Sequence, residues 1–248
     1  RCTLVLGQSR SFLPSIASHC DDPSKVRYFP SWAEDIFQDS VDEPITEIPT
    51  APGILSILFA GNMGDAQDFP AILDAADRLK HRNDIRWLIV GDGRRSAWVS
   101  EQVQARGLED RVLLLGRFPV ERMPAFYAQA DVLLVSLKKD PTFSMTIPGK
   151  VQSYLAAGRP IIGMLDGEGA DVIERSGAGL VCPAGDSAAL AETVQRFEET
   201  SIDERRRMGE QGKAYAKAEF DRNTLVSRLL NLMEVSIHLH QQKIRKAQ

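Results

Sequence analysis

From Ile54 onward, short uninterrupted apolar runs alternate with longer stretches of mixed polarity. ILSILFAG (54–61), IRWLIVG (85–91), RVLLLG (111–116), ADVLLVSL (130–137), RPIIGML (159–165) and GLVC (179–182) lack the in-out alternation of half-exposed strands. They predict strands buried on both faces, as in a parallel sheet covered by helices. Between them, 68–81, 96–106, 121–129, 148–158, 167–176 and 186–198 carry helical spacing. The repeating βα pattern predicts an α/β fold with a doubly wound, Rossmann-like parallel sheet over 53–220. Only helices are predicted afterwards: 202–219, rich in Arg, Glu and Lys, and TLVSRLLNLMEVSIHLH (224–240). The latter has apolar residues three and four apart and needs a surface to lie on, so 221–248 reads as a C-terminal helical extension.

Upstream, residues 1–30 predict a strand (Thr3–Leu6), a helix from Ser9 to about His19, capped by Ser9 or Ser11, and a second strand (Val26–Phe29). That is too little to form a core, so 1–37 reads as the end of a preceding domain with its interdomain segment. QDSVDEPITEIPTAP (38–52) holds three prolines and four acids, which is linker chemistry. The opening RCTLVLGQS has no signal-peptide layout and reads as if cut from something longer.

Composition changes this picture little. A net charge of −4 over 248 residues gives no reason to expect nucleic acid as a partner. Cys2, Cys20 and Cys182 match neither a metal spacing nor a disulfide framework, which suits a reducing cytosol. No apolar run approaches the ~20 residues that span a bilayer. Lys243, Arg245 and Lys246 suit a membrane surface, or simply a solvated helix end.

In doubly wound sheets ligands bind beyond the carboxyl ends of the strands, so the chemistry is sought in those loops. In FAGNMGDAQDF (59–69), Gly61 and Gly64 allow a close backbone approach, or just a tight turn; neither a P-loop nor G-x-G-x-x-G is present. Arg94 and Arg95 stand at a helix start, facing an anion or solvent. Arg117 and Phe118 at the next strand end suit a nucleobase, or a plain turn with Phe118 in the core. In DPTFSMTIPGKVQSYLAAGRP (140–160), Pro148 fits the first helical position and Thr146 is placed to cap. Gly149 leaves the first turn open, and Lys150, Ser153 and Tyr154 share one helix face. A diphosphate at that helix start with a ribose hydroxyl near Ser153 fits the face; a capped, buried helix with Lys150 snorkelling is the packing alternative. Glu168, among glycines at the next helix start, can accept a sugar hydroxyl or serve as a dipole partner.

GNMG, VGDG, GRFPVERMPAFYAQADVLL, TIPGKVQSYLAAGRPII and GLVCPAGDSAALAETV occur in an order that resembles retaining GT-B glycosyltransferases of family four, the glycosyl transferases group 1. Bacterial O-antigen and capsule enzymes of the N-acetyl-fucosamine transferase type are similar. The resemblance covers 53 to about 240, with YFPSWAED (28–35) similar to the interdomain stretch and 1–27 to the end of an N-terminal, acceptor-side domain. It implies a nucleotide-sugar donor, a UDP-sugar by family habit, held without cofactor or metal: diphosphate on Gly149 and Lys150, base near Arg117 and Phe118. The sugar would lie between Gly61–Gly64 and Ser144, Met145 and Thr146. It also implies a lipid-linked (polyprenyl) or saccharide acceptor, transfer with retention, and work in the cytoplasm at the inner membrane face. Most members carry two glutamates with seven residues between them; Met145 and Ser153 occupy those positions here. The usual arginine after the first strand is Asn62, which with Lys150 forms the expected catalytic pair. A non-catalytic nucleotide-sugar binding module therefore stays open, as does a sugar-nucleotide epimerase.

Overall fold

The computed structural model describes residues 2–37, 45–49 and 52–247, with side chains placed up to 242. Most of the expected linker and the basic cluster Lys243, Arg245 and Lys246 lie outside the described residues or side chains. The chain opens with β1 (Val5–Gly7), α1 (Leu13–Ser18) and β2 (Val26–Tyr28), the two strands pairing in parallel. Helix α1 begins four residues later than the sequence suggests, because Ser9 does not cap it. Phe12 is its N-cap without a side-chain bond; the Ser9 hydroxyl accepts from Phe12 N at 3.3 Å, in the turn ahead of the helix, and donates to the Met145 carbonyl.

Next come β3 (Leu55–Ala60), α2 (Phe69–Arg78), β4 (Ile85–Val90), α3 (Ser96–Ala105), β5 (Val112–Gly116), α4 (Met123–Gln129) and β6 (Val132–Ser136). A short α5 (Pro141–Ser144), which apolar spacing did not predict, leads to α6 (Gly149–Ala156), β7 (Ile161–Met164), α7 (Glu168–Ser176), β8 (Gly179–Cys182) and α8 (Ser187–Glu198). The six strands β3–β8 form one parallel sheet in the order β5-β4-β3-β6-β7-β8. Strand order reverses between β3 and β6, the switch point where such sheets open a crevice.

Both faces of the inner strands β3, β4, β6 and β7 are covered, as the continuous apolar runs require, whereas the edge strands β5 and β8 are only partly covered, Leu114 being 37% exposed. Ile57, Phe59, Trp87 and Ile89 pack with α2 and α8 residues on one side; Leu58, Leu88, Leu133 and Val135 pack with α4 and α6 residues on the other. Helices α9 (Ile202–Glu219) and α10 (Arg222–Ala247) follow. Gly209 and Gly212 let α9 lie close to the end of α6: a Cβ on Gly209 would stand 2.1 Å from the Gly158 carbonyl oxygen. The start of α10 is tied to residues 28–35, Arg222 pairing with Asp35 at 2.8 Å and Arg228 donating to the Tyr28 carbonyl at 2.7 Å. Leu225 is buried, whereas Leu230, Met233 and Ile237 farther along are exposed.

Candidate functional site

The ends of β3, β4 and β5 are laced together beyond the regular sheet. Gly61 donates to the Val90 carbonyl, Met63 to Asp92 and Gly91 to Gly116, each at 2.8 Å. Two glycines make this lacing possible. Gly91 has φ +139°, and a Cβ there would stand 1.9 Å from the Gly61 carbonyl oxygen. Gly61 has φ +135°, and its missing Cβ would stand 2.5 Å from Lys150 Cε.

Above this backbone floor opens a cavity of about 960 Å³ lined by Gly61, Asn62, Asp92, Gly93, Arg117, Phe118 and their neighbours through Met123. Four sequence-predicted residues thus come together: Gly61, Asn62, Arg117 and Phe118. Phe118 joins both readings made for it, since its ring tilts against the core ring of Phe126 at 4.7 Å while it lines the cavity. Asp92 and Gly93 were not singled out individually; VGDG in the same strand-end position was the available signal. The Asp92 carboxylate accepts from Ser96 Oγ and Gly93 N, both at 2.7 Å, which holds it below the usual carboxylate range. Arg94 and Arg95 stay open to solvent, as one of the two readings has it, the Arg94 side chain being 87% exposed, and both pair with Asp65 at 3.7 and 2.5 Å. Gly64 is the tight-turn element, its Cβ position 2.7 Å from Asn62 Nδ2.

Helix α6 starts at Gly149, with Pro148 as N-cap in an extended conformation (φ −62°, ψ 136°) and no side-chain cap. Two expectations are corrected here. Pro148 stands one residue before the first helical position, and Thr146 does not cap α6 because its hydroxyl donates back to the Thr142 carbonyl at 2.9 Å. The start of α6 is consequently bare, and nothing lies within 4 Å of a Cβ at Gly149. Its first amides have no side-chain cap.

The shared face of Lys150, Ser153 and Tyr154 is not one environment. Tyr154 is fully buried and Ser153 bonds back to the Gly149 carbonyl at 3.2 Å. Lys150 runs inward, its Nζ 3.5 Å from the centroid of the Phe59 ring and 3.0 Å from the Cβ position of Gly61. It is one of four buried side-chain polar atoms without a hydrogen-bond partner among the described residues. The other three are not isolated: Asp77 Oδ1 itself lies 2.8 Å from Lys80 Nζ in an ion pair, and other nitrogens of Arg111 and Arg122 reach Asn83 and Glu47. Only Lys150 is a whole charged group left unpaired. Contact with the ring face offsets part of its desolvation cost, on the order of 1–2 kcal/mol. The remainder drives its pKa from the ordinary 10.5 down to about 7.

The remaining predicted residues stand apart from the cavity. Ser144 donates to the Pro141 carbonyl at 2.8 Å, and Met145 offers its carbonyl to Ser9. Glu168, expected to be available to a sugar hydroxyl, is instead 4% exposed and already satisfied. It accepts from Ser11 N at 3.0 Å and Ser11 Oγ at 2.5 Å, with Arg175 at 3.8 Å. Among the described residues no cluster of three His, Cys, Asp or Glu side chains is arranged to hold a metal ion.

A family model described as glycosyl transferases group 1 matches residues 55–199. N-acetyl-alpha-D-glucosaminyl L-malate synthase of Bacillus anthracis is 26% identical over 157 residues, 63% of this chain and 39% of that protein. The amylovoran biosynthesis glycosyltransferase AmsK of Erwinia amylovora is 26% identical over 151 residues, covering 60% and 37%. The chain thus spans well under half the length of these relatives. Among solved structures, Anabaena HepE in complex with UDP and glucose superposes with a TM-score of 0.73 at 16% identity, covering 94% of this chain and 63% of that one.

Proposed function

Because the chain belongs to the glycosyl transferases group 1 family, we propose that its cavity receives the nucleotide half of a UDP-sugar in a glycosyltransferase of bacterial surface polysaccharide synthesis. One observation carries this reading: the Lys150 ammonium is buried, unpaired and packed against Gly61, whose backbone lines the cavity. A diphosphate supplies what that group lacks, negative charge and several acceptor oxygens. The bare first turn of α6 supplies free amides beside it, as anion sites at helix starts do. In this reading the base lies against Phe118 and Arg117, and the sugar lies toward Asn62 and the 144–146 segment.

The chemistry follows from where charge develops. As the bond from the anomeric carbon to the diphosphate breaks, its electron pair goes to the leaving oxygen. Lys150 and the α6 amides stabilise that charge without reorganising, which is the larger part of such catalysis. Transfer proceeds with retention, without metal or other cofactor, to a saccharide or polyprenyl-linked acceptor held by a second domain. Among the described residues no helix is long and apolar enough to cross a membrane, and work at the inner membrane face rests on the acceptor's lipid. HepE's complex with UDP and glucose supports the choice of donor, and AmsK's part in amylovoran synthesis supports the choice of pathway.

A binding module without catalysis is the second reading. It is favoured by Met145 and Ser153, neither of which offers the carboxylate that most family members carry at those places. Calorimetric titration of this chain with UDP tests the shared premise: saturable one-site binding is expected, and no binding contradicts both readings. A labelled UDP-sugar given to the full-length protein with acceptor then separates them, since labelled product is expected of the transferase alone.

A further inference from the structure

Successive residues of a strand turn their N–H and C=O groups to alternate neighbours. Gly61 donates to Val90 of β4, so Ala60 faces the other way, toward β6. Earlier on that side the ladder is complete: Ser56 exchanges bonds with Asp131, and Leu58 stands in register with Leu133. Registered pairing stops there. Ser136 Oγ of β6 donates to the Gln67 carbonyl at 2.7 Å and Lys138 N to the Ala66 carbonyl at 2.9 Å. The chain leaving β6 therefore follows residues 66–67, and the two strands part at the switch point.

Ala60 would be left with a buried, unpaired N–H and C=O. Both meet the hydroxyl of Tyr154, which accepts from Ala60 N at 3.1 Å and approaches Ala60 O as donor at 3.3 Å. The Tyr154 ring is fully buried, edge-on to Tyr127 at 5.2 Å, and Tyr127 in turn stacks on Phe37 at 5.4 Å. Lys150 lies four residues earlier on the same helix face. A hydroxyl that fixes Tyr154 against the end of β3 also fixes how far Lys150 reaches over Phe59 and Gly61.

We propose that Tyr154 is a positioning residue of the nucleotide-sugar site: its hydroxyl stands in for the missing strand partner of Ala60 and thereby sets the register of α6, and of Lys150, against the Gly61 turn. The part of this concerning donor affinity rests on the function proposed above; the part concerning Lys150's placement does not. A tyrosine is suited to the task because it carries one group, able to donate and accept, at the end of a rigid ring.

Tyr154→Phe removes a single oxygen and leaves the ring. Acetylation of lysines with mass-spectrometric readout is the first measurement, because it needs no ligand. Lys150 is expected to be protected in the wild type and to be modified at least severalfold faster in the variant; equal rates overturn the proposal. The second is the UDP dissociation constant well below the unfolding midpoint, expected to rise about tenfold, the scale of one hydrogen bond's positional worth. A lowered midpoint with unchanged affinity marks a purely structural hydroxyl and also overturns it. Should the wild type bind no UDP, the proposed function fails while acetylation still decides Lys150's placement. Should the variant not fold, amide exchange in the wild type decides: Ala60 is expected to be as protected as Leu58, and loop-like exchange at Ala60 overturns the proposal.

Discussion

Lys150 and Glu168 look alike in the sequence and differ in the structure. Each is a charged residue in the first turn of a helix that leaves a central strand of the sheet, with glycine beside it. Both charged groups are buried. Glu168 spends its charge inside the molecule, on Ser11 and Arg175, and so joins the opening segment to α7. Among the described residues Lys150 has a ring face and no hydrogen-bond partner. Removing a charge from water costs several kcal/mol unless something offsets it. A buried charge with partners is part of the scaffold; one without them is held ready for something that arrives.

The largest expected difference is in ligand affinity. Lys150→Ala should weaken UDP binding by roughly 1.5–3 kcal/mol, the scale of a charge-assisted hydrogen bond, while Glu168→Ala should leave it within error. Calorimetry on both variants checks the pair; equal losses would erase the distinction.

Stability should show the reverse. Glu168→Ala strips Ser11 of its acceptor and should lower unfolding stability by about 1–3 kcal/mol in denaturant titrations. Lys150→Met removes an unpaired buried amine and should leave stability equal or higher. A large loss in the methionine variant would mean that Lys150 has an internal role.

A third difference is a dependence on pH. The folded-state pKa of Lys150 is depressed to about 7 from 10.5. Between those values the unfolded chain binds more protons than the folded one, so stability should rise with pH across that window. Below about pH 7 both states are protonated and the cost of burying the charge is fully present. Diphosphate binding should restore the proton, giving net uptake at pH 8 that vanishes in Lys150→Met; titration in buffers of different ionisation enthalpy measures it.

Much of this was legible in the sequence because it is local. Continuous apolar runs located all six parallel strands to within two residues; β3, β4, β6 and β7 are buried as such runs require, whereas β5 and β8 at the sheet edges are only partly covered, because an edge strand has a neighbour on one side alone. The open turn at Gly149 followed from the glycine itself, whereas the inward course of Lys150 over Phe59 did not, because that ring comes from a distant strand. What remained hidden depends on distant partners. Glu168 is satisfied by Ser11, 157 residues away, and helix spacing cannot show that. Ser9 likewise bonds to Met145 rather than capping α1. Tyr154 shares a face with Lys150, yet only the parting of β3 from β6 reveals what its hydroxyl does. Thr146 looked like a cap by position, but α5 ends just before it and its own carbonyls claim the hydroxyl.

The most direct test of the diphosphate assignment is a crystal structure of this chain with UDP. The predicted result is a diphosphate oxygen within hydrogen-bond distance of Lys150 Nζ and of the amides at the start of α6, with the uracil against Phe118. A diphosphate resting elsewhere, with the lysine still lying unpaired over Phe59, would contradict it.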